Sequence, residues 1–176
     1  MSRLATPAGL ARLRWAPLLL LNLVFWGLFQ MRNARLQTYA ACPDPAQCPV
    51  LPDGSLQGYS GEQLAGFMQS LGASGRLFYA LSELSLDLLY PLVYGALLAA
   101  VLCRLVACAD RRFWLAPILL GMLFDWLENA LLATIALALH LLPQLAGLAS
   151  VATQAKFLCL GGVLATLVWG IFRRVR

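Results

Sequence analysis

LFYALSELSLDLLYPLVYGALLAAVLC, residues 77–103, decides the fold. A helix of about 20 residues crosses the hydrocarbon of a bilayer, and this run is longer than that. Its apolar positions do not alternate with polar ones, so it is no barrel strand. A helix is then required, since an unpaired backbone group in lipid costs several kcal/mol. Residues 15–31, 113–139 and 148–172 share these properties. The chain reads as all-α, a polytopic four-transmembrane-helix bundle forming a single membrane domain over residues 1–176. One sizeable external loop, residues 32–76, joins the first two spans.

Composition agrees. Of the 176 residues, 61% are hydrophobic and 12% are charged, with a mean hydropathy of +0.75. Soluble domains carry about a quarter charged residues, so a soluble globule of this composition could not cover its surface. Disorder is excluded for the same reason. The net charge is +5, but the arginines sit at the ends of apolar runs and form no basic stripe with interleaved aromatics. Nucleic acid is therefore not an expected partner.

Arginine placement gives the orientation. Arg3, Arg12, Arg14, Arg104, Arg111, Arg112, Arg173, Arg174 and Arg176 all fall on one side of a four-pass chain. Only Arg32, Arg35 and Arg76 fall on the other, and the short connection 140–147 carries no Lys or Arg. The positive-inside rule then puts both termini in the cytoplasm, as in a bacterial inner membrane or the endoplasmic reticulum. A secretory signal cleaved near Tyr39-Ala40 is the competing reading, but Arg32 and Arg35 would precede the cut. Trp15, Trp26, Trp114 and Trp169 lie towards span ends as interfacial anchors, and His140 lies at an interface.

In the external loop, Cys42-Pro-Asp-Pro-Ala-Gln-Cys48 is rich in turn formers. Two cysteines on the non-cytoplasmic side are expected to pair as a disulfide, Cys42–Cys48. Downstream, Ser60-Gly-Glu-Gln63 matches a capping box. Leu64, Phe67, Met68 and Leu71 follow at i, i+3, i+4 and i+7, and Gly72 and Gly75 end the pattern. This is a short amphipathic helix, floating at the headgroup level or closing the outer mouth of the bundle.

Function is written in the acids inside the spans. Glu83, Asp87, Asp125 and Glu128 are half of the eight acidic residues. Each costs about 2.5–3.5 kcal/mol at mid-bilayer on insertion scales, so all four should face the interior. At about 100° per residue, Arg76, Tyr79, Glu83, Asp87, Tyr90 and Tyr94 fall within roughly 40° of one line. Ser82 and Ser85 are off it, but serine can bond back to its own helix. Pro91 removes a backbone donor and leaves the Asp87 carbonyl without its usual partner. Asp125, Glu128 and Asn129 share a face at i, i+3 and i+4, with Gly121 allowing close approach. Counting down from the outer span ends puts Asn22, Asp87, Glu128 and Lys156 at one level. At most about two of the four carboxyls can pair with Lys156 and Arg76, so the others are expected to hold protons. A protonated acid beside an ionised one is what general acid/base work requires.

Two resemblances follow from these residues. Gly58-Tyr-Ser60, Gly72-Ala-Ser-Gly75-Arg76, Asp87-Leu-Leu-Tyr-Pro91-Leu-Val-Tyr94 and Asp125-Trp-Leu-Glu128-Asn129 resemble a group of small four-span membrane proteins with no assigned activity. More distantly, Glu83-Leu-Ser-Leu-Asp87-Leu-Leu-Tyr-Pro91 is similar to the acid-plus-proline second span of the EXPERA group of sterol isomerases and sterol-binding receptors. That likeness implies four spans, cytoplasmic termini and a pocket for an apolar, sterol-like ligand. The chain departs from it in span one, which offers Asn22 and no acid, and in Asp125 and Glu128. The motifs of lipoprotein signal peptidases are absent.

The expected function is binding of, or acid/base action on, a hydrophobic, lipid-like small molecule. Glu83, Asp87, Asp125 and Glu128 would be the catalytic groups. Asn22, Arg76, Tyr79, Tyr90, Tyr94, Asn129 and Lys156 would be the ligand-binding ones. An enzyme would be a cofactor-independent isomerase or hydrolase, because the chain has no phosphate loop, haem motif or metal-ligand set. Two alternatives stay open: a proton- or ion-coupled carrier working as a homo-oligomer, and a non-catalytic accessory or assembly subunit. The expected partners are membrane lipid and the hydrophobic ligand.

Overall fold

The structure, a computed structural model, describes residues 15–40, 51–105 and 111–175. Cys42 and Cys48, with their expected disulfide, lie outside the described residues. The described chain is helical and holds no strand. It comprises α1 (Trp15–Tyr39), α2 (Gly61–Ser70), α3 (Gly72–Glu83), α4 (Leu86–Leu105), α5 (Arg111–Leu137) and α6 (Leu142–Val175). Short 3₁₀ turns at Pro52–Gly54 and Leu139–Leu141 complete it. Three helical runs are long and apolar enough to cross a membrane: Gly72–Leu105, Leu115–Leu137 and Leu139–Phe172.

The boundaries differ from the expected ones in instructive places. α1 does not stop at residue 31 but runs two turns further, through Arg32 and Arg35 to Tyr39. It can do so because the Arg32 charge is neutralised within the fold and Leu36 is buried one turn on. α6 begins at Leu142 rather than 148. Pro143 sits in its first turn, where no intrahelical N–H is needed. The second span is not one straight helix, for α3 and α4 meet at a tightened turn over Leu84 and Ser85. There Ser85 Oγ donates to Leu81 O at 2.6 Å and Ser82 Oγ to Tyr79 O at 2.7 Å. The serines bond back to their own helix, as expected, and the carbonyls they engage lie where the helix bends.

α5 and α6 form the most extensive helix pair. α3 and α4 pack on α5, and α1 leans on α3 and α4. Between α1 and α6 there is no comparable packing. The capping box at the start of α2 is present in both halves: Ser60 N donates to Gln63 Oε1 at 2.8 Å, and Gln63 N to Ser60 Oγ at 3.1 Å. Gly72, at φ +61°, makes the corner into α3, a conformation that costs glycine little. α2 packs on the bundle rather than floating free of it. Leu64, Phe67, Met68 and Leu71 are buried in one core with Leu132 and Ile135 of α5 and Ala149 of α6. Each such burial is worth about 1.5–3 kcal/mol. A smaller core of Ala99, Leu102, Ile118 and Val163 holds the opposite end of the bundle.

Candidate functional site: two ion clusters on one cavity

Two cations organise the interior. Arg32, on α1, has a side chain only 4% exposed. Its Nη1 lies 3.0 Å from Asp53 Oδ2 and 2.8 Å from Asp87 Oδ2, and its Nη2 lies 2.5 Å from Glu83 Oε1. Four separate segments therefore meet on one guanidinium: α1, the Pro52–Gly54 turn, α3 and α4. The Phe29 and Tyr79 rings flank it, with centroids 5.8 and 5.3 Å from its carbon. Lys156, on α6, lies 2.5 Å from Glu128 Oε2 and 3.3 Å from Asp125 Oδ1. Its amine also donates to the Asp53 carbonyl at 3.4 Å, so Asp53 touches both cations.

Polar neighbours finish the carboxyls. Tyr94 donates to Asp125 Oδ2 at 2.9 Å, and Thr153 donates to Glu128 Oε1 at 2.6 Å. The carbonyl that Pro91 orphans is also met. Asn129 Nδ2 donates to Asp87 O at 3.0 Å, and Trp126 Nε1 donates to Leu88 O at 2.9 Å. The run from Asp125 to Asn129 thus divides its labour, with two acids toward Lys156 and two donors toward the carbonyls of Asp87 and Leu88.

The strap from Pro52 to Ser60 is fastened to α6. Tyr59 N donates to Ser150 Oγ at 3.0 Å, and Gln154 Nε2 donates to Gln57 O at 2.8 Å. Gly58, at φ +75°, has no room for a Cβ, which would lie 2.5 Å from both Ser150 Oγ and Gln154 Nε2. Burial pushes the Tyr59 hydroxyl above its ordinary range, so it stays neutral beside Thr153. The strap puts Asp53 between the two cations, within reach of both.

Below it lies a cavity of about 510 Å³, within the range typical of small-molecule sites. Its polar end is lined by Arg32, Asn33, Asp53, Asp87, Asp125, Asn129 and Lys156. Tyr90, Tyr94 and the apolar Leu51, Leu97, Leu98, Phe157, Leu160 and Leu164 line the rest of that side. Phe29 and Asn22 of α1 form the facing wall. A second recess of about 420 Å³ lies between the strap and α2 and contains no member of either ion cluster.

The structure sorts the expected site residues. Asp87, Asp125, Asn129, Lys156, Tyr90 and Tyr94 line the cavity. Glu83 and Glu128 are fully buried behind its wall, each on a cation. Tyr79 is also fully buried, packed edge-on against Phe67. Arg76 is not in the site, since its side chain reaches back to Met68 O at 3.5 Å. Asn22 lines the cavity, but its amide bonds to Leu18 O at 2.9 Å. It is not at the level of the acids, because the helix end from which its depth was counted lies two turns further on. Arg32 and Asp53 are the functional candidates that sequence reasoning missed. The signal for Arg32 was Leu36 and Tyr39 at i+4 and i+7, which carry its helix face onward.

Asp53, Glu83 and Asp87 have carboxyl oxygens within 4.8 Å of one another, a spacing that could hold a metal ion. The Arg32 guanidinium lies among them and supplies the positive charge they face. Compared with known family models, curated proteins and solved structures, the chain matches none.

Proposed function

We propose that this chain is a four-pass membrane protein, with both termini cytoplasmic, that binds an amphiphilic, lipid-like small molecule inside the bundle. α1 supplies the fourth crossing, with Leu20, Leu23, Val24 and Trp26 turned outward. One observation carries the reading: one ligand-sized space is lined both by charged groups, Arg32, Asp53, Asp87, Asp125 and Lys156, and by the apolar Leu97, Leu98, Leu160 and Leu164. That polarity matches a molecule with a polar head and a hydrocarbon tail. The sparse packing of α1 on α6 offers a side entrance from the lipid. A merely structural ion network would be packed solid; this one borders a ligand-sized space. Asp87 and Asp125 are the carboxyls placed to exchange a proton with a bound head group, with Glu83 and Glu128 behind them on the same cations.

Native mass spectrometry of the protein extracted in mild detergent tests this. The expected result is a non-covalent amphiphile adduct on the natural chain that is lost when Leu98→Trp and Leu160→Trp fill the cavity. An adduct that survives the filled cavity, or no adduct on the natural chain, contradicts the reading.

A further inference from the structure

The charge of the head group can be narrowed, resting on the reading of the cavity as an amphiphile site. The two clusters hold five carboxyls, those of Asp53, Glu83, Asp87, Asp125 and Glu128, and two cations. Two cations against five carboxylates leave three negative charges when every group is ionised. Uncompensated charge is costly to bury, so the surplus draws positive charge, either a proton or an entering cation. An entering anion would add to it.

The charge that the cavity presents is more carboxyl than cation. The Asp53, Asp87 and Asp125 side chains are 17, 12 and 10% exposed and all three residues line it, whereas those of Arg32 and Lys156 are 4 and 8% exposed. Each cation is already held by at least two carboxyls. Aromatic rings border the same space. Phe29, Tyr90 and Tyr94 form a continuous panel, with successive ring centroids 5.1 and 5.2 Å apart, and the Tyr94 hydroxyl reaches Asp125. Carboxylates beside aromatic rings suit an ammonium ion, which the acids bind by charge-assisted hydrogen bonds and the ring faces attract through their quadrupole. We infer that the cavity selects an amphiphile with a positively charged ammonium head, placed among the carboxyls of Asp53, Asp87 and Asp125 with its hydrocarbon on the leucine lining.

The test offers the purified full chain four 16-carbon amphiphiles at equal concentration and neutral pH: the amine, the alcohol, the carboxylate and the phosphate. Occupancy is read by native mass spectrometry. The amine should exceed the alcohol by about tenfold, a difference of 1.4 kcal/mol, and the two anions should bind least. Asp87→Asn leaves Arg32 with Asp53 and Glu83, and Asp125→Asn leaves Lys156 with Glu128. Each should narrow the lead of the amine while alcohol occupancy holds, which reports an intact cavity. An alcohol level with the amine, or an anion equal to it, overturns the charge assignment while leaving the cavity as a binding site. A lead unchanged in both variants overturns it too, and if neither variant folds the order on the natural chain decides. Failure of all four to bind the natural chain removes the proposed function itself.

Discussion

The Arg32 and Lys156 clusters do the same electrostatic work in different mechanical settings. Lys156 joins α6 to α5, two helices that already share the most extensive interface in the fold. Arg32 joins α1, of which only Arg32 and Leu36 are buried, to the strap and to both halves of the second span. One cluster reinforces a contact that packing makes anyway. The other substitutes for packing that is sparse. α1 and the strap supply one side of the cavity's lining and α4, α5 and α6 the rest, so the Arg32 cluster fixes one wall of it.

The sharpest break of this comparison is Arg32→Met. Three carboxyls lose their cation, and Glu83 is fully buried. Removing one partner of a buried ion pair costs roughly 3–5 kcal/mol. The upper end is expected here, read by unfolding in detergent micelles, with faster proteolysis between residues 51 and 60. Lys156→Met should cost less, about 3 kcal/mol, because Tyr94 and Thr153 still donate to Asp125 and Glu128. Its strap should resist protease better than that of Arg32→Met. The reverse order of the two variants would invalidate the comparison.

A smaller effect sharpens it. Asn129→Leu leaves the Asp87 carbonyl unpaired at about 1–3 kcal/mol. Adding Pro91→Ala returns a backbone N–H to that carbonyl and should recover most of the loss. A double variant no more stable than Asn129→Leu would show that the amide is not standing in for the N–H that Pro91 lacks. Least of all, Ser60→Ala should cost about 1 kcal/mol, removing the α2 cap while the buried face of α2 stays in place.

The same contrast explains what could be read from sequence. Asp125, Glu128 and Lys156 lie well inside apolar runs, where a charge announces itself by its cost. Pro91 identified an orphaned carbonyl, though not the Asn129 amide that meets it. The capping box and the apolar face of α2 were legible, because both are local periodic signals. Arg32 was not, because an arginine after an apolar run reads as the end of a span. Asp53, in a Pro-Asp-Gly turn, carries no periodicity, and its partner lies 21 residues away in the chain. The turn between Glu83 and Asp87 was hidden too, since both acids keep the i, i+4 spacing of an unbroken helix.

The most direct test of the central claim is photocrosslinking with a 16-carbon amine bearing a diazirine at its chain end, in membranes containing the natural chain. The cavity predicts adducts on Leu97, Leu98, Phe157, Leu160 or Leu164, abolished by Leu98→Trp with Leu160→Trp. Adducts confined to outward-facing residues such as Leu20, Leu119 or Leu158, unaffected by filling the cavity, would contradict it.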